Sequence, residues 1–501
     1  MSALACQKEP TPCHSERSEE SEKTTYMEKY IASIDLGSSK FGLCVARVNG
    51  DDVQIVYYKE TPSDGIRASL ITNPMKASMR LQEAIKEAEK ELMIQILQVV
   101  VGMPRSEVAQ VTAQARIDRG NPDEYISAEE VQNLKSIALE TYPLPNPEKQ
   151  IMLGAVAQSF SIDDEIQLVE SEVVGTLSST LEGNFKVFIG SRSATTALDK
   201  IFNGMNIALA KKYFLPDVVA RTVLTDDEMT SGVALVDIGA GVTSVSIYYG
   251  GIMRYYASIP FGGKAITGDI RTECSISDDL AEKIKKRFGA CLPGKLASLS
   301  EKVLQIRLTE PYKEVPVRYI SEIIDCRARE IVNAMLYYIQ ESGLPNAIRS
   351  GIVITGGGAE LANFVGLVKD MSGYEVRKGY PRFMFSASVG SGVYSTSATA
   401  AIGMILAAKD DNLPDCISMP EKKEVPEEEM VEVEVTDVTP GTETLFAPEE
   451  FGEIKPKEKK ERTKKVKVKK PKGGEKTGFL SVFWNTLEDT ALKIYDKANE
   501  E

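Results

Sequence analysis

The feature that most constrains this chain is a short pattern it carries twice. Tyr30-Ile31-Ala32-Ser33-Ile34-Asp35-Leu36-Gly37-Ser38-Ser39-Lys40-Phe41-Gly42-Leu43-Cys44-Val45 reads as an apolar strand, an aspartate, a glycine turn and a second apolar strand. Leu235-Val236-Asp237-Ile238-Gly239-Ala240-Gly241-Val242-Thr243-Ser244-Val245-Ser246 says the same again. Val and Ile supply the β-propensity. The glycines let main-chain N–H groups approach an anion with no Cβ in the way, so each turn can form a small nest for phosphate. Each aspartate stands where a carboxylate could hold the waters of a phosphate-bound Mg²⁺. One such segment alone is most often only a hairpin. A third turn, Gly351-Ile352-Val353-Ile354-Thr355-Gly356-Gly357-Gly358-Ala359-Glu360, follows a strand and precedes a helix expected over 361–371. Together the three predict two hairpins clamping a nucleotide's phosphates, with the third turn against its adenosine. Lys40 adds a cation, and Ser38 and Ser39 add donors. There is no GxxxxGK[ST] loop, and no GxGxxG opens a helix after a strand, so the nucleotide would be held in another way.

These residues resemble the actin-like ATPase superfamily and, within it, the FtsA family of bacterial cell-division proteins. The resemblance covers 28–408 and the extreme C-terminus, and is specific through order, spacing and tail together. It implies an α/β fold: two actin-like lobes (a duplicated β-β-β-α-β-α) with an inserted subdomain, a disordered linker and a C-terminal amphipathic helix. It also implies ATP and Mg²⁺ as cofactors. Asp35 and Asp237 would organise the metal through water. Gly37, Ser38, Ser39, Lys40, Gly239, Ala240, Gly241, Val242 and Thr243 would hold phosphates, chiefly by main-chain N–H. Gly356, Gly357 and Gly358 would back the adenosine. Glu282 and Lys285 share a helix face and would meet the ribose and adenine; most pairs of this kind are solvent-facing ion pairs. Where family members often read DIGGGTTD, this chain has Ala240, Val242 and Ser244. Binding rests largely on backbone donors, so ATP binding is expected to survive those changes and hydrolysis to be weak or absent.

The resemblance divides the chain into a leader over 1–26, a first lobe over 27–105 and 187–230, and an inserted subdomain over 106–186. The second lobe would take 231–264 and 348–408, its outer part 265–347, followed by a linker over 409–476 and a terminal helix over 477–501. At 501 residues and 43% hydrophobic content the chain exceeds one ordinary domain and can fill large cores. The sequence predicts strands over 31–33, 41–48, 53–58 and 97–102 and a helix over 74–93. Within the insertion it predicts strands over 108–117 and 151–162 and a helix over 128–140. A helix over 320–339 carrying Arg327 and Arg329 is open to two readings: a surface for an acidic peptide, or a packed helix with snorkelling arginines.

A net charge of −14 argues against a general nucleic-acid binder. The seven cysteines are scattered without CxxC spacing, which favours reduced thiols in the cytosol. The single histidine, His14, lies in the polar leader, so histidine catalysis and histidine metal sites are not expected. The leader lacks the apolar core of a signal peptide, and a natural start at Met27 is expected.

After 408 the composition changes. An acidic block with Glu427-Glu428-Glu429 precedes a basic one with Lys464-Lys465-Val466-Lys467-Val468-Lys469-Lys470, too poor in apolar residues to bury a core. In the tail, Leu480, Phe483, Trp484, Leu487, Ala491, Ile494 and Tyr495 make one apolar helix stripe. Such a helix usually docks on its own domain or a partner; behind a long linker, with the chain's only tryptophan, it reads as a membrane-surface helix. The lysine block could add about 1 kcal/mol per residue near anionic lipid. The resemblance then implies a peripheral protein on the cytoplasmic face of the inner membrane at the division septum. It would polymerise with itself, receive the C-terminal peptide of FtsZ on 265–347 and recruit later division proteins. The alternatives are a sugar-kinase-like phosphotransferase, for which no carboxylate base or sugar pocket can be named, and a pilus-assembly ATPase-like scaffold.

Overall fold

Two sheets repeat one pairing scheme. In the first, Lys29–Leu36 runs antiparallel to Lys40–Asn49, which pairs antiparallel with Asp52–Pro62. On its other side Lys29–Leu36 is parallel to Gln98–Gly102, and that strand is parallel to Ala208–Tyr213. In the second, Val233–Ile238 is antiparallel to Thr243–Tyr249, which pairs antiparallel with Ile252–Ile259. Val233–Ile238 is in turn parallel to Ile352–Thr355, followed by Val376–Lys378. The computed structural model of the chain describes residues 28–163, 166–295, 302–306, 313–382, 384–388 and 390–418. The leader, residues 419–476 and the tail helix with Leu480, Phe483, Trp484, Leu487, Ile494 and Tyr495 lie outside the described residues. Residues 409–418, expected to open the linker, instead finish helix Thr399–Asp410 and pair Ile417–Ser418 with Gln95–Ile96.

The central strands are apolar on both faces because both faces are covered. Ile31, Ala32 and Ile34 are fully buried, as is nearly all of Val233–Ile238, the pattern expected where parallel strands lie between helices. Helix Pro74–Leu92 starts with Asn73 accepting from the Lys76 amide and Pro74 in its first turn. It buries Ala77, Leu81, Ala84, Ile85 and Ala88, and stops at Met93, which is left-handed at φ 54°. Helix Thr399–Asp410 is rich in small residues and buried almost throughout. It lies close on the first sheet, where the Ser33 hydroxyl donates to the Ala401 carbonyl at 2.8 Å.

Inserted within the first sheet's sequence, between Gln98–Gly102 and Ala208–Tyr213, comes a third sheet, antiparallel, in the order Ile166–Leu168, Gln150–Ile162, Thr180–Ser191, Ala109–Asp118. Helix Ala128–Thr141, opened by a Ser127–Glu130 capping box, covers it. Leu134, Phe160, Val173 and Phe185 form a core separate from that of the first sheet. This sheet reaches the second through Gln158, whose amide donates to the Met253 carbonyl at 2.9 Å, and Lys186, whose ammonium donates to the Arg254 carbonyl at 2.5 Å.

Three local readings change. Thr225-Asp226-Asp227-Glu228 reads from sequence as the end of a helix, but it opens one: Thr225 and Glu228 form a reciprocal cap on Asp226–Ser231. The segment after the third glycine turn is a short 3₁₀ turn, Gly357–Glu360, and the α-helix begins only at Phe364. Strand Ala208–Tyr213, half-exposed at the sheet edge, carried no sequence signal. The described chain leaves beside its own start. The Cys416 amide donates to the Tyr30 carbonyl at 2.8 Å, Lys29 Nζ donates to the Leu413 carbonyl at 2.9 Å, and Ile417–Ser418 pairs with Gln95–Ile96. Among the described residues no helix is long and apolar enough to cross a membrane.

Candidate functional site

The two hairpin turns are built alike. Asp35 stands opposite Gly42 across the first ladder, and Asp237 opposite Ser244 across the second. A Cβ on Gly37 would lie 2.6 Å from the Lys40 carbonyl oxygen, and one on Gly239 would lie 2.8 Å from that of Val242. Each turn therefore closes on itself at a point where only glycine fits. The turns also meet each other: a Cβ on Gly241 would lie 2.8 Å from Ser38 Oγ. The third turn joins them. Gly356 has φ 82°, and a Cβ there would collide with the carboxylate of Asp237. Gly357 lies beside the ammonium of Lys40, and Gly358 packs on Ile238. Ser38, Lys40, Asp237, Gly241 and the three consecutive glycines are thus brought to one crevice.

The remaining expected residues sit around it. The Ser39 carbonyl accepts from the Ser63 amide at 3.0 Å, and Val242 is buried. The Thr243 hydroxyl donates to the Phe261 carbonyl at 3.0 Å. The carbonyls of Gly239 and Ala240 accept from the amides of Gly263 and Lys264 at 3.0 and 2.8 Å, so the second turn seats the start of helix Gly263–Cys274. Glu282 and Lys285 stand one layer back. Lys285 Nζ lies 2.7 Å from Glu282 and donates to Thr267 Oγ1 at 2.8 Å and the Gly263 carbonyl at 2.9 Å. Burial lowers the pKa of Lys285 against the pull of Glu282. This pair braces the helix that touches the second turn, and Lys285 would have to exchange a partner to meet a ligand.

The charge at the centre is arranged by a residue the sequence did not single out. Arg105 follows the parallel strand Gln98–Gly102, and its guanidinium bonds the Asp237 carboxylate, with only 12% and 10% of the two side chains exposed. Its Nη2 lies alongside the second turn, 3.8 Å from where a Gly239 Cβ would be. Arg105 and Asp35 line the same small void. Burial raises the Asp35 pKa, the positive charge of Arg105 opposes that rise, and the negative charge of Asp237 adds to it. The Arg105 backbone is fixed at both ends: its amide donates to Ser69 Oγ at 3.1 Å, and its carbonyl accepts from the Tyr256 hydroxyl at 2.9 Å. Tyr256 is packed edge-on against Phe188 and Phe214. The Nε–H of Arg105 is buried with no hydrogen-bond partner, a costly state for a charged donor.

Lys40 is likewise engaged. It pairs with Glu60 at 2.5 Å, and Glu60 also accepts from Ser397 Oγ at 2.6 Å and the Tyr58 hydroxyl at 2.9 Å. Burial would raise the Glu60 pKa, but the bonds from Lys40, Ser397 and Tyr58 hold it below the ordinary value. Beside Ser38 a cavity of about 310 Å³ is lined by Arg67, Lys76 and Lys264 together with Asp64. The arginines of helix Val317–Glu341 are also paired, Arg327 with Asp269 and Glu330, and Arg329 with Asp325.

The donor set decides what fits. The three glycine turns form a cradle that side chains would fill, which suits a phosphate chain. A metal set directly by protein side chains is a different matter, because a guanidinium already holds the Asp237 carboxylate, and the described residues contain no cluster of three metal-ligating side chains. Arg105 was legible only through topology: in open α/β sheets, ligands bind beyond the carboxyl ends of parallel strands, which is where Gly102-Met103-Pro104-Arg105 stands.

Comparison with known proteins bears on the same segments. Residues 234–403, which include the second and third glycine turns, match the family model described as cell division protein FtsA. Over 399 residues the chain is 28% identical to the cell division protein FtsA of Neisseria meningitidis, covering 77% of this chain and 92% of that one. It is also 28% identical over 378 residues to the protein of that name from Borreliella burgdorferi, covering 75% and 90%. Among solved structures, a chain of a PilM–PilN type IV pilus biogenesis complex superposes with a TM-score of 0.53 at 15% identity, covering 75% of this chain and 98% of that one.

Proposed function

We infer that this chain, a member of the FtsA family of bacterial cell-division proteins, binds ATP between its two sheets and acts in division as a membrane-bound scaffold. The observation that carries the nucleotide reading is the meeting of three glycine turns, from distant parts of the sequence, around Asp237 and Lys40. Main-chain amides of the turns over 37–40 and 239–243 would hold the phosphates, and Gly356, Gly357 and Gly358 would bound the adenosine. Glu282 and Lys285 would reach the sugar and base by way of Gly263. Because Ser38 meets the turn at Gly241, a triphosphate enters only if the two turns part, so binding is coupled to the separation of the two sheets. Mg²⁺ would come with the phosphates, although the Asp237 carboxylate as it stands is held by Arg105.

FtsZ, further copies of this chain and later division proteins are the proposed partners, and the septal face of the cytoplasmic membrane is the proposed location. The stripe Leu480, Phe483, Trp484, Leu487, Ile494 and Tyr495 supports the membrane part. Full burial of a large side chain contributes about 1.5–3 kcal/mol. A half-buried stripe less its ordering cost gives a monomer that binds reversibly and a polymer that binds far better through avidity. Co-sedimentation with anionic liposomes tests this. The full chain with ATP should pellet, and a version ending at Lys476 should stay in the supernatant; equal pelleting removes the tether.

A further inference from the structure

We propose that Arg105 is a built-in cation that takes the metal's place beside Asp35 and Asp237, so that this chain holds ATP without needing a divalent ion. The inference rests on the nucleotide reading above and departs from what its resemblance to actin-like ATPases implies for the metal. Four observations carry it. The guanidinium bonds Asp237, the carboxylate of the second turn. It lies against Gly239, at the wall where phosphate would be received. It lines one small void with Asp35, so the same positive group stands near the first carboxylate while bonding the second. Its Nε–H has no acceptor, while a guanidinium has five N–H donors suited to phosphate oxygens.

The placement is also rigid. Tyr256 and Ser69 fix the Arg105 backbone at its carbonyl and its amide, so the charge sits where the fold puts it rather than on a free arm. A divalent ion here would be held by phosphates, waters and one or two carboxylates, and the Asp237 carboxylate is already committed to Arg105. A phosphate oxygen needs only the free donor. Lys40 does not duplicate this role, since Glu60 holds its ammonium.

Calorimetric titration of the full-length chain with ATP, in excess Mg²⁺ and in excess EDTA, tests the proposal. The wild-type Kd should agree in the two buffers to within about twofold. Arg105→Gln should bind about tenfold more weakly in EDTA, the loss expected of one charge-assisted hydrogen bond, and recover in Mg²⁺. Arg105→Lys, which keeps the charge, should hold most of the EDTA affinity. Far-UV melting shows whether each variant is folded; if Arg105→Gln is not, the wild-type pair of titrations decides alone. ATP bound in Mg²⁺ but not in EDTA overturns the proposal and leaves the nucleotide reading standing. ATP bound in neither removes both.

Discussion

The two hairpins have the same backbone and opposite electrostatics. Each places an aspartate two residues before a turn glycine whose Cβ would strike the same carbonyl three residues on. In the second hairpin the aspartate is paired and buried, and its partner, Arg105, comes from the half of the chain that carries the first sheet. In the first hairpin Asp35 makes no ion pair among the described residues, and the nearby lysine is taken by Glu60 of the neighbouring strand. Duplication fixes where main-chain donors can stand, because turn geometry depends on glycine and ladder register. Charge is not fixed by it, since a side chain from elsewhere can neutralise one copy alone. The two hairpins therefore share one backbone frame, and among the described residues only the second has its aspartate paired with a cation.

That contrast can be broken most severely at the cation. Arg105→Ala leaves Asp237 buried without its partner, a change that typically costs about 3–5 kcal/mol, and chemical denaturation should show a loss of that order. Next in size is the joint between the second and third turns. Gly356→Ala forces a side chain into a left-handed position and against the Asp237 carboxylate, with an expected loss of about 2–4 kcal/mol in the same measurement. The equivalence of the hairpins is sharpened by Gly37→Ala and Gly239→Ala. Each should cost about 1–3 kcal/mol, and their melting shifts should agree closely; a large difference would show that the turns are not the same device.

The smallest effect should come from the pair at the first hairpin. The folded-state pKa of Glu60 lies below its ordinary value, so its contribution is present above the unfolded carboxylate range. That contribution is lost as pH falls through the depressed value. Both side chains are about a third exposed, and solvent screens the interaction. Glu60→Gln should therefore lower the melting temperature slightly near neutral pH, and the difference from wild type should shrink in acid.

Much of this arrangement can be read from the chain before any coordinates. The duplicated strand–Asp–Gly pattern announces both hairpins, because apolar alternation and turn glycines act locally. The helix at Pro74–Leu92 is equally open, through its asparagine cap, first-turn proline and apolar spacing. Arg105 is hidden for the opposite reason: its partner is 132 residues away, and nothing near it in sequence marks it as buried. Ser397 and Glu60 are hidden in the same way, joined across 337 residues. The reversed reading at Thr225 is of another kind. Its capping box was written in the sequence, but the preceding helix Leu215–Val223 runs so close to it that two elements read as one.

The hydrogen bonds that join Tyr30 to Cys416 and Lys29 to Leu413 have a mechanical consequence. Load applied through segments on either side of the described body would enter at one corner and be borne in shear by the Cys416–Tyr30 clasp and the Ile417–Ser418 pairing. The crevice between the two sheets would then feel little of that pull. Such a clasp would let the described body be pulled from either end without the load passing through its glycine turns.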